Sequence, residues 1–301
     1  MGLLTLPSSR SFGQILKSPK IVVIGAGIIG TMIAYELVKK GADVKIIDKE
    51  FPASGASGHS FSWINATYPK KPYEYNLLSQ LGIDAYKSLE TEFNFDIRWN
   101  GSLEWFENDS QQEELFYEIN AIREYPTYTP VEIISFSQAQ RMEPNIYFGD
   151  RKRIVHSLSD GAIDTIHAIQ LIQGEFERLG GKSIFPCEFL KLNQRNGKLK
   201  SIDTNQGIIE ADYAIFACGI DTDKNLDLNT QSTPTPGIIL RSKPVESLFN
   251  KIIVGPGVHI HQQKNGAIIL GEQDGAPLNH FDRLKMRPNK FLSLIHITEH
   301  T

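Results

Sequence analysis

Three glycines and an acid are the residues of this chain whose spacing speaks most directly of chemistry. Gly25-Ala26-Gly27-Ile28-Ile29-Gly30 follows the apolar run Lys20–Ile24, and Asp48 closes a second apolar run, Val44–Ile47, eighteen residues after Gly30. The β-branched first run predicts a strand buried on both faces of a parallel sheet. Gly25 allows the tight turn, Gly27 lets backbone approach a pyrophosphate, and Gly30 lets the following helix lie close to the strand. That helix has Ile29, Met32, Ile33, Leu37 and Val38 as its predicted apolar face. It stops at Lys39-Lys40-Gly41, where cations suit the negative end of the helix dipole and glycine suits the C-cap. Asp48 stands where a carboxylate accepts from ribose hydroxyls and disfavours a 2′-phosphate. Strand, glycine turn, helix, strand and acid in this order predict a dinucleotide-binding unit, with FAD and NAD left as alternatives.

Composition narrows the class. At 301 residues and 41% hydrophobic, the chain can bury a large core and predicts a soluble, globular protein of two lobes. A net charge of -4 without basic runs argues against a nucleic-acid partner. No apolar stretch approaches the ~20 residues of a membrane span. Cys187 and Cys218 are the two cysteines. They have no metal-ligand spacing and predict neither a metal site nor a disulfide, as suits a reducing, cytoplasmic compartment. Residues 1–19, with Arg10, Lys17, several serines and no acid, read as a loosely packed tail bearing a faint likeness to a targeting peptide.

The stretch after Asp48 separates the alternatives. Ala53-Ser54-Gly55-Ala56-Ser57-Gly58 leads into the aromatic-containing His59-Ser60-Phe61-Ser62-Trp63, and small residues there let backbone approach a flat, bulky ligand. At this point the sequence resembles the D-amino-acid oxidase, glycine oxidase and sarcosine oxidase group of FAD-dependent amine oxidoreductases. The resemblance implies FAD as cofactor, with Ala56, Ser57 and Gly58 against the flavin. It continues in Asp160-Gly161-Ala162-Ile163-Asp164-Thr165, which opens a helix with Asp164 as N-cap. It continues again in the strand pair Ser183–Leu192 and Leu199–Thr204, where backbone near Phe189 would meet the adenine. Ala211–Ile220 is similar to the family's second cofactor strand, placing Ala217 and Gly219 beside the FAD. The implied fold is α/β: a Rossmann-like FAD-binding lobe, mostly parallel sheet with helices, from residues 20–62 and 155–222. An α+β substrate lobe containing an antiparallel sheet, from residues 63–154 and 223–301, is interleaved with it.

Within that substrate lobe, apolar spacing predicts a helix over Tyr73–Phe95 with Leu78, Leu81, Ala85, Leu89 and Phe93 inward. A second helix over Gln111–Tyr125 and a turn at Ser137–Met142 precede Glu143-Pro144. Strands follow at Gly237–Leu240, Ile252–Val254, Val258–Gln262 and Ala267–Gly271, with Asn265-Gly266 as a hairpin turn. His259 and His261 share one face of their strand and read as surface residues. Arg241 is the candidate to hold a substrate carboxylate. The activity implied is oxidation of the C–N bond of an amine or amino acid by hydride transfer to flavin N5, with oxygen or a quinone-linked acceptor reoxidising FAD. An NAD-dependent dehydrogenase and a non-catalytic or truncated nucleotide-binding subunit are the alternatives. The resemblance covers residues 20–272. The closing segment that relatives fold over the flavin has no visible counterpart before Thr301, which leaves room for a second chain to complete the flavin site.

Overall fold

The computed structural model describes residues 18–67, 70–127, 129–228 and 237–272. Most of the expected N-terminal tail and the stretch after residue 272 lie outside them. The chain divides into two compact units, one from residues up to Phe51 together with Gln173–Cys218, the other from Pro52–Ile172 together with the chain from Gly219 onward. In chain order the elements begin with β1 (Lys20–Ile24), α1 (Ile28–Lys39) and β2 (Asp43–Ile47). Next come β3 (Trp63–Ile64), α2 (Tyr73–Phe93), β4 (Ser102–Glu104), α3 (Asp109–Arg123), β5 (Val131–Ser135), α4 (Phe136–Met142), β6 (Arg153–Ser157) and β7 (Gly161–Ala162). The chain continues through α5 (Thr165–Arg178), β8 (Lys182–Ile184), β9 (Phe189–Arg195), β10 (Lys198–Thr204), β11 (Gly207–Glu210) and β12 (Tyr213–Phe216). It is followed by α6 (Thr222–Leu226), β13 (Ile239–Arg241), β14 (Ile252–Gly255), β15 (Val258–Gln262) and β16 (Ile268–Glu272).

The first unit is built on a four-stranded parallel sheet in the order β12-β1-β2-β8. Val22 and Ile24 of β1 enter a core with Ile47, Cys187, Ile202 and Ala211, which also takes in the antiparallel β11-β10-β9 sheet. The expected strand Ser183–Leu192 is two strands. Pro186 has no N–H with which to extend a ladder, so β8 ends in the parallel sheet and β9 restarts in the antiparallel one. Helix α1 buries Gly30, Thr31, Ala34, Tyr35 and Val38. Ile29, expected inward, is 67% exposed. The helix start lies so close to β1 that the inward positions of its first turn are taken by a glycine and a threonine.

The second unit is built on a seven-stranded sheet, β13-β16-β15-β14-β4-β6-β5, antiparallel except at β14 and β4. Strand alternation sends Leu103, Ile253, Ile260, Ile268 and Leu270 to one face, in a core with Phe148 and Phe249. On the opposite face Val131 and Val155 lie under Leu115, Phe116 and Ile119 of α3, while Ile252, Val254 and Ile269 pack with Phe61 and Ala162. Asn108 caps α3 by accepting from the N–H groups of Ser110 at 2.9 Å and Gln111 at 3.1 Å, so that helix begins earlier than expected. The expected turn at Ser137–Met142 is helix α4, started by a capping box between Ser135 and Gln138. Helix α2 buries Asn76, Ile83 and Phe93; Leu78, Leu81 and Ala85, expected inward, are exposed. Apolar residues lie on more than one side of this helix, and tertiary contacts, which spacing does not encode, select the side.

A buried carboxylate ties several of these elements together. Asp160 accepts from Trp63 Nε1 at 3.0 Å, Ser102 Oγ at 2.7 Å and Thr67 Oγ1 at 2.8 Å. Glu104 follows Ser102 on the same face of β4, is buried, and has no partner for Oε1 among the described residues. Burial, reinforced by the charges of Asp160 and Glu118, pushes its carboxyl up to about 8. A carboxyl whose pKa is raised on folding stabilises the fold fully below its unfolded value, and loses that contribution as pH rises through the folded value. Glu104→Gln is therefore expected to flatten the loss of stability between about pH 4.5 and about pH 8. The variant should melt above the parent at pH 8.5, as checked by thermal denaturation across that range.

Candidate cofactor and substrate site

In the first unit the glycine turn is held by close approach. Gly25 sits at φ +108°, and a Cβ there would lie 2.3 Å from the carbonyl oxygen of Ala217. A Cβ on Gly30 would lie 1.9 Å from the Gly25 carbonyl oxygen and 3.2 Å from Ala217 Cβ. Three of the expected cofactor residues, Gly25, Gly30 and Ala217, are thus brought together. Gly27 is the extended N-cap of α1, which starts with no side-chain cap and no acid in its first turn. The N-terminal end of that helix carries the positive end of its dipole.

Asp48 faces the same turn. Its Oδ2 accepts from Ala26 N at 2.8 Å and its Oδ1 from Glu50 N at 2.9 Å. The carboxylate therefore orders the loop, and two bonds leave it further lone pairs for a hydroxyl. A helix N-terminus beside an acceptor that a hydroxyl can reach fits the diphosphate and ribose of a dinucleotide. The Phe189 ring is set edge-on to Phe216, centroids 5.0 Å apart, in the unit's core.

The remaining expected residues belong to the second unit. Gly219, at φ +57°, has nothing within 4 Å of its Cβ position, so glycine there serves the backbone conformation. Ala56 opens the 3-10 turn Ala56–His59. In that turn a Cβ on Gly58 would lie 2.1 Å from the Ala53 carbonyl oxygen. Ser57 and Gly58 line a cavity of about 450 Å³ together with Thr165, Arg241, His261 and Ile269. The ladder places Arg241 opposite Ile269 and Ile269 opposite His261, so all three share one face of the sheet. Arg241 donates from Nη2 to Gln263 Oε1 at 2.7 Å, which fixes part of the guanidinium and leaves other N–H donors. A smaller cavity of about 150 Å³ is lined by Arg98, Asp164, His261 and Gln263. Asp164 caps α5 as expected, its Oδ1 accepting from Ile166 N at 3.1 Å and His167 N at 3.2 Å.

His261 corrects the expectation of a surface residue. It is 2% exposed, its Nε2 lies 2.8 Å from the Phe61 carbonyl oxygen, and burial lowers its pKa to about 4. His259, partly buried, is likewise lowered to about 4 by burial. Alternation with Val258 and Ile260 marked the face these two occupy. What covers that face is Phe61, 200 residues away in sequence, and local pattern carries no record of it. Among the described residues no group of three or more His, Cys, Asp or Glu could hold a metal, and no helix is long and apolar enough to cross a membrane.

The model of FAD dependent oxidoreductases of the DAO family matches residues 20–299. The chain belongs to that family. The match runs past residue 272, where the resemblance was expected to end, and so takes in the stretch read as lacking a family counterpart. A glycine oxidase of Pseudomonas putida is 22% identical over 270 residues, covering 84% of this chain and 70% of its own length. Among solved structures, the L-proline dehydrogenase of P. horikoshii superposes with a TM-score of 0.79 at 20% identity, over 93% of this chain and 77% of its own. The glycine oxidase of Bacillus cereus gives 0.80 at 16%, over 92% and 78%. DAO family membership makes FAD the cofactor and sets aside the nicotinamide alternative. Since Asp48 orders the glycine turn, Asp48→Ala is expected to cost the fold roughly 2–3 kcal/mol and to weaken FAD binding by about tenfold or more. Urea denaturation and flavin fluorescence titration read the two effects.

Proposed function

We propose that this DAO-family chain oxidises the C–N bond of an amine or amino acid. FAD, when bound, supplies the hydride acceptor. The observation that carries the reading is the cavity in the second unit, whose wall joins Ser57 and Gly58 to Arg241, Ile269 and the neutral His261. Ser57 and Gly58 are assigned to the flavin, and Gly25, Gly27, Gly30, Asp48 and Ala217 to the nucleotide. Ala56, Phe189 and Gly219 complete the cofactor assignments. Arg241, steadied by Gln263, holds a substrate carboxylate with its remaining donors. Ile239 and Ile269, on the same wall, give the substrate carbon an apolar surface and displace water.

The charge balance of the wall suits this chemistry. Hydride can leave the carbon only when the neighbouring nitrogen has a free lone pair, so the substrate must react as the neutral amine. Arg241 disfavours an ammonium nearby, and burial keeps His261 uncharged. Asp164, also on the wall, has an oxygen committed to the first turn of α5. Oxygen or a quinone-linked acceptor completes the cycle. A reducing, cytoplasmic setting fits two cysteines that are both free thiols.

The test is anaerobic mixing of the flavin-loaded chain with glycine, sarcosine, L-proline and a panel of D-amino acids, followed in the visible flavin bands. Loss of the oxidised spectrum with at least one of them is expected. Persistence of the spectrum with all amines would favour a non-catalytic nucleotide-binding subunit. Arg241→Ala is expected to raise KM for a carboxylate-bearing substrate by about a hundredfold and to leave KM for an amine lacking the carboxylate unchanged. An equal effect on both would remove Arg241 from the substrate site.

A further inference from the structure

The segment carrying Ser57 and Gly58 is held against the seven-stranded sheet by an unusual set of ties. Its end, Ser62, lies at φ +60°, a left-handed conformation that residues other than glycine adopt at a cost. Ser62 is fixed there by three bonds: its N donates to Ser60 Oγ at 3.0 Å, its O accepts from Ile163 N at 3.1 Å, and its Oγ meets Thr165 Oγ1 at 2.6 Å. One residue earlier, the Phe61 ring is edge-on to His259 and His261, with centroids 4.2 Å and 4.8 Å away. The Phe61 carbonyl faces His261 Nε2 at 2.8 Å.

A carbonyl only accepts, so Nε2 must carry the ring proton. In the neutral ring Nδ1 is then a bare acceptor, and it is buried without a partner among the described residues. An unsatisfied buried acceptor is unfavourable, yet the ring is committed to this orientation, in which its single donor serves Phe61. His261 also lines the cavity shared by Ser57, Gly58 and Arg241. One imidazole thus joins the strand beneath the substrate wall to the segment assigned to the flavin.

We propose that His261 is a positioning residue for FAD: by holding the Phe61 carbonyl, its Nε2–H fixes the backbone of residues 57–62 and so sets where Ser57 and Gly58 meet the cofactor. This rests on the assignment of Ser57 and Gly58 to the flavin. Without the donor, the Phe61 carbonyl is left unpaired and Ser62 loses one of the constraints that keep it left-handed. The segment then relaxes, and FAD binds more weakly in an altered environment.

The test uses the full chain, with the FAD dissociation constant measured by flavin fluorescence and the visible circular dichroism of bound flavin as a second readout. His261→Leu, which keeps apolar volume and removes the donor, should weaken FAD binding by about tenfold or more and change the visible signal. His261→Gln, whose amide can reach the same carbonyl, should recover most of both. If the Leu variant fails to fold, His261→Asn, polar but too short to reach Phe61, takes its place with the same expected loss. Parent-like affinity and dichroism in the Leu or Asn variant would overturn the proposal, as would a Gln variant no better than Leu. Gly58→Ala separates the two layers of the argument, because its Cβ would collide with the Ala53 carbonyl and distort the segment directly. If it leaves FAD binding intact, the assignment of the segment to the flavin fails. If it weakens FAD while His261→Leu does not, only the role of His261 fails.

Discussion

A side-chain carbon on residue 30 would lie 1.9 Å from the carbonyl oxygen of Gly25, so α1 can start where it does only because residue 30 has none. The same close approach includes Ala217 at the end of β12, and therefore fixes the order of the parallel sheet at the point where the glycine turn leaves β1. Asp48 completes the arrangement from β2 by accepting the Ala26 N–H. Two neighbouring strands and the helix between them are locked by one steric constraint and one carboxylate. The consequence is electrostatic: the N-terminal end of α1, whose dipole can stabilise an anion, is held beside the glycine turn and the Asp48 carboxylate.

The second unit solves a different problem. Its large sheet must be apolar on both faces to be covered, yet a site needs polar groups. Along the face that carries Ile252, Val254 and Ile269, several polar side chains are given a fixed partner. Arg241 is held by Gln263, His261 by the Phe61 carbonyl, and Ser102 by Asp160. Asp160 in turn fixes Trp63, next but one to Phe61. An aromatic wall is thereby supported from behind by a buried carboxylate with three donors, an arrangement that is costly if any donor is lost. Glu104 shows that cost in the same layer, where a carboxyl without a partner for one oxygen is driven toward its neutral form.

What was legible in the sequence is what local physics determines. β1 falls on Lys20–Ile24, Asp164 caps α5, and Gly266, at φ +89°, makes the hairpin turn foreshadowed by Asn265-Gly266. Each depends on neighbours within a few residues: β-branching, a side-chain cap, a left-handed glycine. The failures share the opposite property. Ile29 is outward because the close approach of Gly25 and Ala217 leaves the inward positions of the helix start to Gly30 and Thr31, Leu78 and Leu81 are outward because other elements choose the buried side of α2, and His261 is inward because Phe61 covers it. Pro186 did carry a local signal, since a residue without an N–H cannot sit inside a paired strand, and reading it would have divided β8 from β9.

The glycines make the distinction sharper. Gly25, Gly30 and Gly58 were all marked by their likeness to cofactor-binding glycines, but the contacts that exclude a Cβ at each are made by the protein itself: the Ala217, Gly25 and Ala53 carbonyls. Such a glycine acts on the backbone itself, by letting it fold more tightly than a side chain would allow. Gly219 differs, since its Cβ position is open and only its φ of +57° requires attention. The sequence assigns Gly25 to the turn and Gly30 to helix packing, and the resemblance places Gly58 and Gly219 beside the flavin; geometry separates the three that would collide from the one that would merely strain. In the colliding positions even alanine must displace backbone, so their effect on a bound cofactor would travel through the loop they shape rather than through the methyl group added.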